Sequence, residues 1–272
     1  MKKVGIALIF LIITATVFAQ SAEVFRVVVV SGQVDHAKLK RPVLKGDKIS
    51  AGESLIFGTK TSFIIVISPK TGRKKIRGVP DPSPRELENL IQSFLTPDEK
   101  STASRGMATE YWALLNESLR DTVLILGDGI ITLDKDYIPL APPAVVVAFY
   151  KGKQNEHVTK VLSSGQNICL GKKCLMNDGV QQIHSKVMIE YYLDERTSQE
   201  LPGSGEFIGY FWPRYGDDAK IEEEIKIIIE ALGKSPHDRI LSEIKKFLGE
   251  EYGHVQEQNL ISWLHSKKLL TP

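Results

Sequence analysis

Cysteine is almost missing from this chain, with two residues, Cys169 and Cys174, in 272. That excludes the disulfide-dense scaffolds of small secreted domains and zinc sites built from four thiolates. Histidine is sparse too. No two of the six stand in the HxH or HxxxH spacing of a metal pair. Charge of one sign is also lacking. Without residues 1–19 the chain loses Lys2 and Lys3 and no acid, which brings 35 basic residues down to 33 against 33 acidic ones. A nucleic-acid binder carries a clear basic excess, so nucleic acid is not an expected partner. Neither G-x-S-x-G nor a phosphate-cradling loop with its lysine occurs. After residue 19 no apolar run approaches the ~20 residues that span a bilayer. No cofactor is expected.

The amino terminus carries the strongest signal. Met1-Lys2-Lys3 is a short positive start, Val4 to Val17 is almost unbroken apolar sequence, and Val17-Phe18-Ala19 puts compact residues where a signal peptidase reads. This is the three-part layout of a secretory signal peptide, and its apolar part is too short for a spanning helix. The expectation is cleavage after Ala19 and a periplasmic or extracellular protein. No cysteine follows directly, so no lipid anchor is expected.

In an oxidising compartment the C-x4-C pair Cys169 and Cys174 is a candidate disulfide. A hairpin turn at Gly171-Lys172 would set the two side chains across from each other. A bridge closing so short a loop contributes about 2 kcal/mol. Two unbonded thiols, or a redox or metal-binding pair, are the other readings.

Four short β-rich runs follow the leader: Val24 to Val30, Val43 to Ile49, Gly52 to Phe57 and Ser62 to Ser68. Turn residues separate them at the spacing of a small sandwich or barrel. Within them stand Ser31-Gly32-Gln33-Val34, Leu44-Lys45-Gly46-Asp47, Ala51-Gly52-Glu53-Ser54-Leu55 and Thr61-Ser62-Phe63-Ile64-Ile65-Val66. Residues 24–78 thereby resemble the small periplasmic β domain of FecR-type sensor proteins. The resemblance implies a small β domain in the periplasm with a sensing role. The mature chain also resembles exported proteins of Bacteroidetes-type bacteria, which implies a compartment and no activity.

Val79 to Pro84 reads as a proline-rich linker. Ser83-Pro84-Arg85-Glu86 reads as a helix start, with Leu87, Leu90, Ile91, Phe94 and Leu95 on one face. Tyr111 to Arg120 is a second short helical pattern. Then β patterning returns. Gly127-Asp128-Gly129 reads as a hairpin turn between Thr122 to Leu126 and Ile130 to Leu133. Further strand candidates are Ala144 to Tyr150, His157 to Leu162, Asn167 to Leu170, Cys174 to Met176, Gln182 to Leu193 and Glu206 to Trp212. That number of short strands suggests an immunoglobulin-like sandwich. The tail is helical, with stripes at Ile221, Ile225, Ile228, Ile229 and Leu232, then at Ile240, Leu241, Ile244, Phe247 and Leu248, then at Leu260, Ile261 and Leu264. The expected fold class is mainly β with helices (α+β). Its parts are a signal peptide at 1–19, a FecR-like β domain at 20–80, a helical connector at 81–120, a β-sandwich at 121–215 and a helical tail at 216–272.

Chemistry is thinly marked. Cys174 and His184 would make a nucleophile and base only if a sheet brought them together. Asp128, Asp134 and Asp136 lack the ligand spacing of a calcium loop. Lys70 to Arg77 is a basic run suited to a solvated hairpin or to an anionic polymer. Aromatics crowd Tyr191, Tyr192, Phe207, Tyr210, Phe211, Trp212 and Tyr215. Within that crowd Tyr191, Tyr210, Trp212 and Tyr215 form a candidate binding face for sugar or for a protein partner, because flat rings offer contact area at low entropic cost. The reading is a non-catalytic exported envelope protein that binds, scaffolds or senses, with another envelope protein or a glycan as partner. Its rival is an envelope polymer hydrolase with an unrecognised site.

Overall fold

The computed structural model describes residues 23–78, 85–87, 115, 118–152, 156–161, 163–176, 182–200 and 204–270. The expected leader (1–19), the 79–84 linker and most of the helical connector lie outside them. The fold is α+β, mainly β, in two compact units. One comprises residues 1–98 with 227–235, the other residues 99–226 with 236–272.

The first unit has eight strands: β1 (Val24–Ser31), β2 (Val34–His36), β3 (Arg41–Pro42), β4 (Lys48–Ser50), β5 (Ser54–Phe57), β6 (Phe63–Ser68), β7 (Gly72–Arg77) and β8 (Arg85–Glu86). They form two four-stranded sheets, ordered β4-β1-β6-β7 and β3-β2-β5-β8. Phe25, Val27, Ile49, Ile64, Val66 and Ile76 from one sheet meet Val34, Leu55 and Phe57 from the other in one core. In β6 the residues Ile64, Ile65, Val66 and Ile67 are all fully buried. A strand covered on both faces reads as a continuous apolar run, not as an alternation, and this strand does. The basic run 70–77 forms the hairpin of β6 and β7, with Ser68 opposite Gly72. Lysine and arginine on that edge strand discourage pairing with another chain. Arg85–Glu86 corrects the expected helix start. This pair is extended and adds to the edge of β5, with Ser54 opposite Glu86.

The glycine-aspartate turn of the first unit is a charged clasp. Gly46 takes φ of 81°, a conformation open to a residue without Cβ. Asp47 then accepts from the Leu44 N–H (2.9 Å), Arg41 Nη1 (2.8 Å) and His36 Nε2 (3.1 Å). His36 is 1% exposed, and its Nδ1 lies 2.5 Å from Glu53 Oε1. The ring is thus held between two carboxylates, Asp47 at one nitrogen and Glu53 at the other. Partial burial pushes the Asp47 carboxyl up. The hydrogen bonds from Arg41, Leu44 and His36 outweigh this and bring it down to about 2.

The second unit contains β9 (Arg120–Ile125), β10 (Ile130–Thr132), β11 (Val145–Lys151), β12 (Glu156–Lys160), β13 (Ser163–Ser164), β14 (Asn167–Cys169), β15 (Val187–Tyr192), β16 (Glu206–Tyr215) and β17 (His254–Val255). Its helices are α1 (Lys172–Leu175), α2 (Glu195–Glu200), the first half of α3 (Asp218–Leu232), α4 (His237–Glu251) and α5 (Glu257–Ser266). A six-stranded sheet, β12-β11-β15-β16-β9-β17, and a three-stranded sheet, β10-β14-β13, share one core. The immunoglobulin-like expectation reduces to this plainer arrangement. β9 runs parallel to β16 and to β17, and the helical tail itself supplies β17.

The Gly127-Asp128-Gly129 turn is not a hairpin. β9 and β10 belong to different sheets, and the turn is the corner between them. Gly127 and Gly129 both have positive φ. A Cβ on Gly129 would stand 2.7 Å from the Gly171 nitrogen, so two glycine backbones meet where side chains would not fit. Behind the corner, buried Asn259 accepts from the Leu126 N–H through Oδ1 (3.0 Å) and donates from Nδ2 to the Leu126 carbonyl (3.0 Å). The tail is thus pinned to the end of β9 by an amide with its polar atoms satisfied.

Candidate functional site

The six-stranded sheet has two unlike faces. Toward the shared core it presents Val146, Ala148 and Tyr150 of β11, Val187, Ile189 and Tyr191 of β15, and Phe211 of β16. On its outer face, cross-strand pairing lines up Val158, Phe149, Met188 and Tyr210 in one row over four strands. Residues directly opposite each other share a face. Tyr210 ends this row at 49% exposed, with Phe207 (45%) and Trp212 (43%) on either side of it along β16. Such a run of exposed rings marks an interaction surface more often than single exposed apolar residues do.

Period-two geometry explains the selection. In β16 the residues Tyr210, Trp212 and Arg214 are exposed while Phe211 between them is fully buried. Of the four ring residues expected on a binding face, Tyr210 and Trp212 are exposed on the outer face and Tyr191 and Tyr215 are not. Tyr191 is 3% exposed in the core, with its hydroxyl donating to the Pro139 carbonyl (2.9 Å). Burial, followed by the charge of Glu206, raises its phenol. Tyr215 is half-buried against the same core, and burial drives its phenol well above the ordinary value.

Two residues that the sequence did not single out complete the face. The Lys186 ammonium lies 5.0 Å from the Tyr210 ring centroid, within cation–π range. Glu190 is 4% exposed and takes hydrogen bonds from the Tyr192 hydroxyl (2.6 Å) and the Gly205 N–H (3.3 Å). That carboxylate holds the entry of β16 against β15.

The remaining chemical candidates separate. Cys169 and Cys174 are joined as a disulfide with Cα atoms 5.9 Å apart. They do not face each other across a hairpin: Cys169 ends β14, and Cys174 lies in the helical turn α1. The Tyr150 hydroxyl donates to the Leu175 carbonyl and anchors that turn to the core. A sulfur bonded to another sulfur is not a thiolate, so Cys174 and His184 do not form a nucleophile and base. Asp134 caps its own loop, accepting from the Asp136 N–H (2.9 Å). Among the described residues, no group of three or more His, Cys, Asp and Glu side chains is placed to hold a metal ion. Among the same residues, no helix is long and apolar enough to cross a membrane. Comparison with family models, with curated proteins and with solved structures finds no match to this chain.

Proposed function

We propose that this protein is an exported, non-catalytic envelope component that binds or scaffolds another envelope molecule through the outer face of its six-stranded sheet. The observation that carries the reading is the pair Tyr210 and Trp212, about half exposed at alternate positions of one strand. Large rings left in water forgo burial free energy on the order of 2 kcal/mol each, and a partner recovers it. The leader-like amino terminus supports a location outside the cytoplasm. The likeness of residues 24–78 to FecR-type domains supports a sensing or docking role there.

The test is retention of envelope material on the immobilised mature chain, residues 20–272. Wild-type protein should retain a component that Trp212→Ala and Tyr210→Ala lose, with all three proteins melting alike because both positions are exposed. Equal retention by the variants, or turnover of peptidoglycan or glycan by the purified protein, contradicts the reading.

A further inference from the structure

We propose that the Tyr210–Trp212 face binds an acidic glycan: sugar rings stack on the aromatic side chains and sugar carboxylates pair with Lys186 and its basic neighbours. This rests on the outer face being the binding surface and adds the chemical class of its ligand.

The charge on the face decides between neutral and acidic ligands. Lys186 sits at the Tyr210 ring. Exposed Arg120 is the register partner of Tyr210 on β9. Arg214, two residues beyond Trp212 on its side of β16, stands over the Tyr252 ring at 5.8 Å, next to the Glu224 that Tyr252 contacts, so Lys186 and Arg120 are the basic groups nearest the rings. Of the nearby acids, Glu190 is buried and held by Tyr192 and Gly205. Glu195 is paired with Lys160 at 2.9 Å. Exposed Asp121 and Glu206 are the register partners of the inward-facing Phe211 and Tyr191, so neither shares the face of Tyr210. Cations therefore border the rings. A ligand bearing carboxylates gains charge-assisted hydrogen bonds there that a neutral one does not.

Topology decides between glycan and extended peptide. Peptides commonly bind sheets by adding a strand to an open edge. β16 is an interior strand, paired with β15 on one side and with β9 on the other. At the rings the backbone is already occupied, so recognition falls to the exposed side chains of β16, beside the part of the face where Val145, Val147 and Tyr192 are buried. Planar rings suit the apolar C–H faces of pyranoses, and Phe207, Tyr210 and Trp212 along β16 present several of them to a polymer.

The experiment titrates the mature chain with polygalacturonate, dextran and dextran sulfate, following tryptophan fluorescence and calorimetric heat. Polygalacturonate should bind at least tenfold more tightly than dextran. Trp212→Ala and Lys186→Gln should each weaken polygalacturonate binding at least tenfold, about 1.4 kcal/mol. Tyr137→Ala, at an exposed aromatic outside the face, should leave it unchanged. Equal binding of dextran sulfate and polygalacturonate, with no response to Trp212→Ala, reduces the effect to bulk charge and overturns the inference. Absent polygalacturonate binding alongside Trp212-dependent retention of envelope material overturns the ligand class and leaves the binding face standing. Loss of both overturns the two together.

Discussion

Asp47 shows how much one side chain can organise. Its carboxylate ties Leu44, Arg41 and His36 together, and Glu53 closes on the same imidazole. The sequence marks Gly46-Asp47 as a turn, but it gives His36 no role. Its partners come within reach only when β2 pairs with β5. Parity was the readable signal on the aromatic face. Positions 210 and 212 share one side of a strand, and 215 does not belong with them. The clasp also gives a pH dependence. The folded pKa of Asp47 lies below the unfolded value of about 3.9. Its stabilisation is therefore complete above that value and disappears as pH falls through about 2. Thermal melts of wild-type protein should lose about 2 kcal/mol over that window. Asp47→Asn should melt lower at neutral pH and lack this part of the acid dependence. An identical acid profile in the variant would show that the clasp is not the source.

Elements were legible where local pattern and tertiary demand agree. The apolar runs at 24–30 and 63–68 are strands. The stripes at 221–232 and 240–248 lie on α3 and α4, and Gly233, with φ of 55°, follows the first. Elements were misread where a turn has two uses. Gly127 to Gly129 has hairpin chemistry but serves as a corner, because β9 finds its partners in β16 and β17. Arg85–Glu86 has a helix-start sequence but takes the edge of β5. Cys174 was expected on a strand and lies in α1, since a four-residue helix has too little periodicity to announce itself. The disulfide fixes α1 to the end of β14, and that role is structural. Replacing both Cys169 and Cys174 with serine should lower unfolding free energy by about 2 kcal/mol in chemical denaturation. Retention of envelope material should stay as in wild type. Loss of retention without loss of stability would assign the pair a functional role instead.

At the scale of the molecule, the chain divides differently from its local patterns. Residues 227–235, in the helical tail, group with the amino-terminal β unit, and Glu230 pairs there with Arg26 at 3.1 Å. Residues 254–255 close the edge of the other unit's sheet. Parallel pairings between segments so far apart leave no local signature, so strand order and the two-unit division were beyond a reading of pattern and propensity. The outer face depends on that order, since β15 and β9 together make β16 an interior strand with exposed rings. Hydroxyl-radical footprinting tests this surface most directly, comparing purified protein with protein in its native envelope fraction. The account predicts that oxidation of Tyr210 and Trp212 falls several-fold in the envelope while Tyr137 is unchanged. Equal oxidation of Tyr210 and Trp212 in the two samples would contradict it.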